Sequence, residues 1–359
     1  MKFIHIADLH LDAPFVVLNS RTNIGQIRRM EQRDALRKII NYIKENSIPY
    51  LFISGDLYEN EHIRESTIEY INSLFRQIPD TKIFIAPGNH DPFINNSYYN
   101  KFNWSKNVYI FSPELQMVED ENVDIYGLAF TDFYSEKLDV EKINIKNKEK
   151  INILLIHGTI DGSEGNIEYN PMKKSELKKM GFDYIALGHI HKPSYNDEEN
   201  QNIVYPGSTI SLGFDELGKH GMILGNIQKN SLDIQFIPID NREFKEIELN
   251  ITDILDEEQI VEKINDLDLE EDVLYKVILT GERHFEINIY DLYKLNLDQK
   301  VIKLKDNTKI SINIEEISKE NNLRGMFIKE FEKEIQKGEI DKEILDNVLE
   351  IGLDVLKNK

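Results

Sequence analysis

The sequence predicts a mixed fold of the α/β (α+β) kind, with a smaller unit behind a larger one. Three observations predict it. Short apolar runs alternate with helical patterns through the first half of the chain, β-rich runs dominate from Asp183 onwards, and the character changes again near residue 241. Alternating strands and helices are typical of layered domains. The length of 359 residues also exceeds that of one typical domain.

The first half contains five candidate strands, each a short run rich in β-branched or aromatic residues. They cover residues 3–7, 50–54, 82–86, 124–127 and 152–156. Two helical patterns lie between the first three strands, with apolar residues three or four positions apart on one face. Their apolar positions are Leu36, Ile39, Ile40 and Ile43, then Ile68, Ile71, Leu74 and Phe75. This alternation indicates a layered α/β domain.

The second half divides into a β-rich part, a small α+β unit and two terminal helices. Strand candidates that would complete a second sheet lie at residues 184–187, 203–205, 221–227 and 232–237. The small unit combines strands at residues 244–249, 273–280 and 301–305 with helical stretches at residues 257–264 and 289–295. Two amphipathic helices follow at residues 326–336 and 342–356. The predicted domains are therefore residues 1–240, 241–319 and 320–359.

Composition indicates a globular protein and limits the chemistry of any metal site. Hydrophobic residues make up 40% and charged residues 30% of the chain, as in ordinary globular domains. The chain has no cysteine, which excludes thiolate ligands and leaves nitrogen and oxygen donors. The first candidate ligand is residue 8, too early for a cleaved signal peptide, and no apolar run reaches membrane-spanning length. We expect a cytoplasmic protein with no membrane partner.

The chain is strongly acidic, and its charge is unevenly distributed. The net charge of −21 argues against nonspecific attraction to phosphate backbones. Residues 241–359 contain 18 Lys and Arg against 30 Asp and Glu, so this third of the chain carries −12. The remaining −9 belongs to residues 1–240. The acidity is therefore concentrated outside the part of the chain that holds the candidate site.

Five segments with carboxylate, amide or imidazole side chains each follow a candidate strand. They are Asp8-Leu9-His10, Gly55-Asp56, Gly88-Asn89-His90-Asp91, His157-Gly158 and Gly188-His189-Ile190-His191. Alone, each segment has an ordinary structural interpretation, such as a helix cap, a turn or a polar strand face. Together they indicate function, because loops at strand ends gather catalytic groups in layered α/β proteins.

These residue types suit a pair of divalent cations that hydrolyses phosphate esters. Carboxylates supply negative charge and can bridge two ions, while neutral imidazoles and an amide oxygen fill the other positions without neutralising the cations. Two ions roughly 3.5 to 4 Å apart activate water at neutral pH and bind the phosphoryl oxygens. Imidazole with carboxylate suits manganese, iron or zinc better than calcium. The sequence therefore predicts a two-metal phosphoesterase.

The five segments, in this order and at these intervals, resemble the calcineurin-like metallophosphoesterase superfamily over residues 1 to about 215. The resemblance implies a four-layer β-sandwich flanked by helices. Longer strings look most like the SbcD/YhaO type of DNA repair exonuclease, in which the unit after residue 240 corresponds to a capping domain. These strings are HIADLHLDAPF, GDLY, PGNHDP, DYIALGHIHKP, YPGS and GFDE.

The resemblance also implies a role for each candidate residue. The first ion would be held by Asp8, His10, Asp56 and His191. The second ion would be held by Asp56, Asn89, His157 and His189. Asp56 is thus shared, and the expected metal of both sites is manganese. His90 resembles the family's non-ligand histidine, which stabilises developing charge or protonates the leaving oxygen, and Asp91 would orient it.

One position departs from the family pattern. Many nucleases of this family carry a histidine three residues after the bridging aspartate, whereas this chain has Glu59 there and His62 as the nearest imidazole. A carboxylate near the path of the substrate would repel phosphate. We expect metal-dependent ester hydrolysis to survive this change, while exonuclease activity on DNA ends is put in question.

Three other histidines are assigned structural roles. His5 alternates with apolar residues on a strand, which favours a core or supporting histidine over a metal ligand. His220 and His284 lie away from the motif segments. Both are predicted to be surface residues.

Arg29, Arg33 and Arg37 lie four residues apart on one helical pattern. Such a stripe could face a phosphate backbone. Neighbouring Glu31 and Asp34 favour instead a solvated face stabilised by ion pairs. The three arginines are therefore left out of the predicted site.

The two terminal helices carry apolar stripes that need cover. The stripes consist of Phe327, Phe331 and Ile335 on one helix and Leu345, Val348 and Leu349 on the other. By the resemblance, these helices bind the coiled coil of an SbcC-type ATPase, an instance of helix recognition in a groove. The alternative is that they fold back on their own domain.

Three functions are compatible with the sequence. The first is a manganese-dependent DNA nuclease, acting in double-strand-break repair with an SbcC-type coiled-coil ATPase, as the resemblance implies. The second is a phosphodiesterase or phosphatase for nucleotides or other small phosphoesters, which the acidic charge favours. The third is a weakly active adaptor subunit for the ATPase. DNA, the ATPase and a second copy of the chain are the partners that the resemblance implies.

Overall fold

The computed structural model describes most of the chain. The described residues are 1–15, 23–134, 138, 140–162, 169–195, 201–310, 317–337 and 342–356. They form two compact units, each built from several chain segments. The larger unit consists of Met1–Ile247, Asp268–Val277 and Asp298–Lys303, and the smaller one of Glu248–Leu267, Ile278–Leu297 and Leu304–Lys359. The mixed α/β fold predicted from the sequence is confirmed.

Six strands form the first sheet of the larger unit. They are β1 (Lys2–Ile6), β2 (Tyr50–Ile53), β3 (Lys82–Ile85), β4 (Val108–Ile110), β10 (Gly221–Gln228) and β11 (Ser231–Pro238). Their order across the sheet is β11-β10-β1-β2-β3-β4. Strands β1 to β4 pair in parallel, whereas β10 runs antiparallel to both β1 and β11. The expectation that residues 221–227 and 232–237 complete a second sheet is therefore wrong, because they extend the sheet of β1. The parallel part brings the carboxyl ends of β1, β2 and β3 to one edge.

Five strands form the second sheet of the larger unit. They are β5 (Met117–Glu119), β6 (Val123–Gly127), β7 (Ile151–His157), β8 (Tyr184–Gly188) and β9 (Ile203–Val204). Their order across the sheet is the order along the chain. Strands β6 to β9 are parallel, and β5 pairs antiparallel with β6. The carboxyl ends of β7 and β8 therefore lie side by side.

Helices cover one face of each sheet. They are α1 (Ile24–Asn46), α2 (Glu65–Phe75), α3 (Tyr98–Lys101) and α4 (Lys174–Met180). Ile4 and Ile6 of β1 pack in one core with Ile39 of α1 and Ile68 of α2. On the second sheet, Leu154 of β7 packs in a core with residues that include Leu177 of α4.

A separate core lies between the two sheets. Phe3, Phe52 and Phe84 of the first sheet pack there with Ile153 and Leu155 of the second sheet. Successive side chains of a strand point to opposite faces of the sheet. Ile4 and Ile6 of β1 therefore pack in the core that faces the helices, whereas Phe3 packs in the core between the sheets. Fully burying one such side chain contributes about 1.5 to 3 kcal/mol. This packing fixes the two sheets relative to each other and so brings their strand ends together.

The remaining elements follow residue 242. The strands are β12 (Glu243–Asn250), β13 (Val273–Thr280), β14 (Glu282–Arg283), β15 (Val301–Asp306) and β16 (Lys309–Ile310). The helices are α5 (Glu257–Asn265), α6 (Ile289–Leu292), α7 (Leu323–Lys337) and α8 (Lys342–Leu356). One sheet has the order β12-β13-β15, and β14 pairs in parallel with β16. None of the helices among the described residues is both long and apolar enough to span a bilayer.

Candidate metal centre

The loops at the strand ends hold their polar residues in an unusual backbone conformation. Asp8, His10, Asp56 and His189 have positive φ angles of 51°, 48°, 52° and 98°. Residues with a Cβ atom disfavour this region, at a cost on the order of 1 kcal/mol or more each. Backbone hydrogen bonds hold the loops in place, from the Asp8 amide to Gly55 O at 3.2 Å and from the His10 amide to Asp56 O at 2.9 Å. Together these constraints set the directions of the side chains.

Glycines beside the candidate ligands let the loops approach one another closely. A Cβ atom on Gly55 would lie 2.3 Å from His157 Nδ1, and one on Gly88 would lie 2.3 Å from Asp56 Oδ1. Both distances are well below van der Waals contact, so any larger residue would displace a candidate ligand. This close approach explains why Gly precedes Asp56 and Asn89 in the sequence.

Among the residues that the structure describes, three groups of side chains each place three potential ligand atoms within 4.8 Å of one another. The groups are Asp8 with His10 and His191, His10 with Asp56 and His90, and Asp8 with Asp56 and His157. Each two of these groups have one residue in common, which is Asp8, His10 or Asp56, and the two carboxylates are 0% and 1% exposed. Buried carboxylates need cations or hydrogen-bond donors around them. This arrangement therefore suits bound cations.

The two other candidate ligands lie beside these groups. Asn89 Oδ1 is 3.0 Å from His157 Nε2. The ring of His189 meets that of His157 edge to face, with centroids 5.2 Å apart. The backbone amide of His189 also donates to Asp8 Oδ1 at 3.0 Å. All seven predicted ligands are thus brought to one place by strand ends of both sheets.

The two imidazoles of His10 and His191 face each other through their Nε2 atoms, which are 3.2 Å apart. His10 Nδ1 lies 2.7 Å from Glu59 Oε1, and His191 Nδ1 lies 2.6 Å from Glu216 Oε1. Because a carboxylate only accepts, each Nδ1 carries a hydrogen. The Nε2 lone pairs then point at each other and repel unless a cation or a proton lies between them.

An acceptor also fixes the Nδ1 hydrogen of His157. Its Nδ1 lies 2.9 Å from the carbonyl oxygen of Ser54, which can only accept, so Nδ1 is again the donor. Its Nε2 faces two further oxygens, Asp56 Oδ2 at 3.2 Å and Asn89 Oδ1 at 3.0 Å. A nitrogen that faces only oxygens in a buried site must carry a proton or bind a cation.

The carboxylates give the site a strong affinity for positive charge. Burial lowers the pKa of His157, but Asp56 outweighs it and raises that pKa to about 9. Burial also lowers the pKa of His191, but the Glu216 carboxylate outweighs burial and raises that pKa to about 9. Burial and then the charge of His157 lower the pKa of His189 to about 3. Protons and metal ions therefore compete for the same imidazole nitrogens.

Asp91 does not orient His90, which corrects the sequence-based expectation. Its carboxylate is fully buried and points into the loops rather than toward the imidazole. Oδ1 accepts from the backbone amides of Gly88 at 2.7 Å and Asp56 at 3.0 Å, and Oδ2 accepts from the Tyr99 hydroxyl at 2.6 Å. Asp91 therefore holds the backbone beneath two site loops, because its acceptor positions are already taken by these donors.

Glu59 takes the place beside His90 that was expected for Asp91. Glu59 Oε2 lies 3.0 Å from His90 Nδ1, while its other oxygen contacts His10. The carboxylate is 17% exposed and the imidazole is 45% exposed. Glu59 is therefore engaged by two imidazoles. The repulsion of phosphate expected of this residue stays a prediction.

A polar network behind His191 was missed by sequence reasoning. Glu216 Oε2 accepts from Ser208 Oγ at 2.7 Å, and that hydroxyl also lies 2.8 Å from His220 Nδ1. His220 is 1% exposed, so its prediction as a surface residue is wrong, whereas His284 is exposed as predicted. The only sequence signal for this network was the strings YPGS and GFDE, which contain Ser208 and Glu216.

His5 lies outside the metal centre, as the strand pattern indicates. The side chain is fully buried, with Nδ1 3.0 Å from the Tyr184 hydroxyl and Nε2 3.1 Å from Ser54 Oγ. Burial lowers the pKa of His5 to about 3, which keeps the imidazole neutral. His5 is therefore a hydrogen-bonded core residue.

The arginines of α1 form the salt-bridged face favoured by the sequence. Arg33 pairs with Asp12 at 2.7 Å, and Arg37 pairs with Asp34. Arg29 donates to the carbonyl oxygen of Pro14 at 3.1 Å. Two of the three arginines thus form ion pairs, and the third donates to a backbone carbonyl.

Known proteins resemble this chain in sequence. A sequence profile of the calcineurin-like phosphoesterases matches residues 1–193, which include all seven candidate ligands and His90. The uncharacterized metallophosphoesterase YhaO of Bacillus subtilis is 28% identical over 245 residues, covering 66% of this chain and 60% of that protein. The SbcD component of the SbcCD nuclease of Staphylococcus epidermidis is 27% identical over 296 residues, covering 72% of this chain and 75% of that protein. The matched region thus covers less than two thirds of the length of YhaO.

Proposed function

This chain belongs to the calcineurin-like phosphoesterase family, and from that premise we propose that it is a manganese-dependent DNA nuclease that hydrolyses phosphodiesters with two bound ions. One observation carries the metal-dependent chemistry. The Nε2 atoms of His10 and His191 face each other at 3.2 Å while carboxylates hold both Nδ1 atoms. A divalent cation satisfies this pair of lone pairs without a proton.

We assign four ligands to each of two ions. The first ion would be held by Asp8, His10, Asp56 and His191. The second ion would be held by Asp56, Asn89, His157 and His189. Support for the shared role of Asp56 comes from its Oδ2 atom, which lies 3.8 Å from His10 Nε2 and 3.2 Å from His157 Nε2. Imidazole with carboxylate and amide oxygen suits manganese.

The protein residues around these ions would divide the work of hydrolysis. When bound, a pair of divalent ions polarises the phosphoryl oxygens and supplies activated water at neutral pH. His90 is exposed enough to reach a substrate, and its proton would go to the leaving oxygen. Glu59 holds the Nδ1 side of this imidazole, and buried Asp91 holds the backbone of the loop that carries it.

The resemblance to SbcD, whose name states nuclease activity, supports DNA as the substrate and DNA repair as the cellular process. The net charge of −21 supports a second candidate, a phosphodiesterase or phosphatase for nucleotides and other small phosphoesters. A weakly active adaptor subunit is the third candidate. The complete set of converging side chains argues against that third candidate, because a degenerate site has no need to keep buried carboxylates together.

A substrate panel tests these candidates directly. Purified protein with manganese would be assayed on single-stranded, double-stranded and hairpin DNA, on bis-p-nitrophenyl phosphate and on mononucleotides. The nuclease proposal expects manganese-dependent DNA cleavage that a chelator stops, and end-labelled duplexes distinguish exonuclease from endonuclease products. Hydrolysis of the small esters with intact DNA would favour the second candidate. Two bound ions without turnover of any substrate would favour the adaptor.

We also propose that α7 and α8 bind an SbcC-type coiled-coil ATPase. The two helices pack together through Ile328, Phe331, Leu349 and Leu353. Further apolar side chains point outward, among them Met326, Val348 and Ile351, which are 67%, 46% and 66% exposed. The helices therefore cover one of their stripes mutually and leave another apolar face for a partner.

Lysines placed on this outward face should weaken binding to the ATPase. We expect Val348→Lys combined with Ile351→Lys to lower the affinity at least about tenfold, because two ammonium groups would be buried in an apolar contact. Asn347→Lys, at an exposed polar position of the same helix, is the matched control. Affinity would be measured by co-purification and calorimetry, with hydrolysis of bis-p-nitrophenyl phosphate unchanged in all variants. Wild-type affinity of the double variant would place the partner surface elsewhere.

A further inference from the structure

Glu59 is bound to two histidines with different proposed tasks. Its Oε1 atom lies 2.7 Å from Nδ1 of His10, and its Oε2 atom lies 3.0 Å from Nδ1 of His90. His10 is 2% exposed, and His90 is 45% exposed. One carboxylate thus spans from the buried candidate ligand to the histidine at the mouth of the site.

Glu216 provides a natural comparison within the same site. Its Oε1 atom lies 2.6 Å from Nδ1 of His191, in the same relation that Glu59 has to His10. Its Oε2 atom accepts from Ser208 Oγ at 2.7 Å and from the Leu212 amide at 3.1 Å. Glu216 therefore supports one candidate ligand and is anchored in the protein, whereas Glu59 connects a candidate ligand to His90.

A carboxylate in this position controls both the tautomer and the orientation of an imidazole. Because it only accepts, it keeps a hydrogen on Nδ1. The Nε2 atom on the opposite side of the ring is then free to bind an ion in His10, and in protonated His90 it carries the second hydrogen, which is the proton donated to the leaving oxygen. Such carboxylate partners strengthen metal binding by histidine, and their loss costs about 10- to 100-fold in metal affinity. In Glu59, one side chain exerts this control on two rings at once.

We infer that Glu59 is a positioning residue that joins the first-ion site to the proton donor His90. This inference rests on the proposed function, in which His10 binds an ion and His90 protonates the leaving oxygen. The residue that departs from the family pattern is thereby part of the hydrolytic machinery. Glu216 is its counterpart for His191 and has no connection to His90.

The first test measures metal binding alone. Manganese would be titrated into wild type, Glu59→Gln and Glu216→Gln by calorimetry, without substrate. In each glutamate the former partners meet different oxygens, and glutamine replaces one of these oxygens with an NH2 group, so it cannot accept on both sides. Both variants should bind one of the two ions about 10- to 100-fold more weakly than wild type. Wild-type affinity in Glu59→Gln would overturn the connection to the ion.

The second test separates Glu59 from Glu216 by the leaving group of the substrate. At saturating manganese, kcat would be measured for a dinucleotide, which loses a poor alkoxide leaving group, and for bis-p-nitrophenyl phosphate, which loses a good one. Only the alkoxide needs a proton. Glu59→Gln should lower kcat for the dinucleotide at least about tenfold more than for the aryl ester, with KM little changed. Glu216→Gln should lower both by the same factor.

Two further variants test whether the effect of Glu59 depends on its contact with His90. Glu59→Asp retains the charge but is one methylene too short to reach both rings, so it should show the same leaving-group selectivity. In a His90→Ala background, Glu59→Gln should no longer change the ratio of the two rates, because the coupled partner is gone. Thermal unfolding with chelator checks that each variant folds.

The outcomes distinguish this inference from the proposed function. If wild type binds two ions but cleaves neither DNA nor the two diesters, the proposed function fails, and the calorimetry still decides whether Glu59 supports an ion. If wild type hydrolyses both diesters and Glu59→Gln lowers both rates equally, the connection to His90 is overturned while the proposed function stands.

Discussion

Replacing Asp56 with Asn is expected to abolish hydrolysis and the paired-ion site together. Asp56 Oδ2 lies 3.2 Å from His157 Nε2 and 3.8 Å from His10 Nε2, which are candidate ligand atoms of different ions. Its Oδ1 atom meanwhile accepts from the His90 amide at 2.9 Å. The amide removes the shared negative charge and turns an NH2 group toward one of these partners. The affinity for both ions should therefore fall by more than the roughly 10- to 100-fold that a supporting group contributes.

Elemental analysis and turnover of bis-p-nitrophenyl phosphate measure the two effects of Asp56→Asn in one preparation. Asp124→Asn is the matched control, because Asp124 is also buried and is paired with Lys150 at 2.9 Å, outside the metal centre. The control should keep its ions and its activity. Full metal occupancy with unchanged turnover in Asp56→Asn would refute the bridging role.

Replacing His90 with Ala is expected to leave both ions bound while slowing hydrolysis by about two to four orders of magnitude. This is the usual contribution of a positioned proton donor or acceptor. The His90 side chain is 45% exposed, against 28% for His191 and 2% for His10, so of these three imidazoles it is the one most open to a substrate. Its ring contacts Glu59 through Nδ1 and meets the ring of His10 edge to face, and it is none of the seven assigned ligands.

Calorimetric titration with manganese and measurement of kcat test the prediction for His90→Ala. The metal titration is needed because a ring nitrogen of His90 lies within 4.8 Å of potential ligand atoms of His10 and Asp56, where it could itself bind an ion. Loss of one ion in His90→Ala would identify the residue as a ligand instead of a proton donor. His284→Ala, at an exposed position in the smaller unit, should behave as wild type.

Much of the fold and of the metal centre could be predicted from local sequence. The helical spacing of Leu36, Ile39 and Ile43 on α1 and the apolar runs of the short strands each extend over a few residues, so the alternation of helices and strands could be predicted. Candidate ligands follow strands directly, and parallel strands bring their carboxyl ends to one edge of a sheet. Glycines at positions 55 and 88 mark the close approach of the loops.

The partners of the side chains were decided only by the tertiary structure. His10 meets Glu59 across 49 residues and His191 meets Glu216 across 25. Asp91, by contrast, turns away from the adjacent His90, and His220 is buried against Ser208. A hydrogen bond depends on positions within a few tenths of an ångström and on direction. No local pattern carries that information, because the relative placement of distant loops is set by the packing of the two sheets. The residue types could therefore be read from the sequence, whereas the pairing of donors with acceptors required the folded chain.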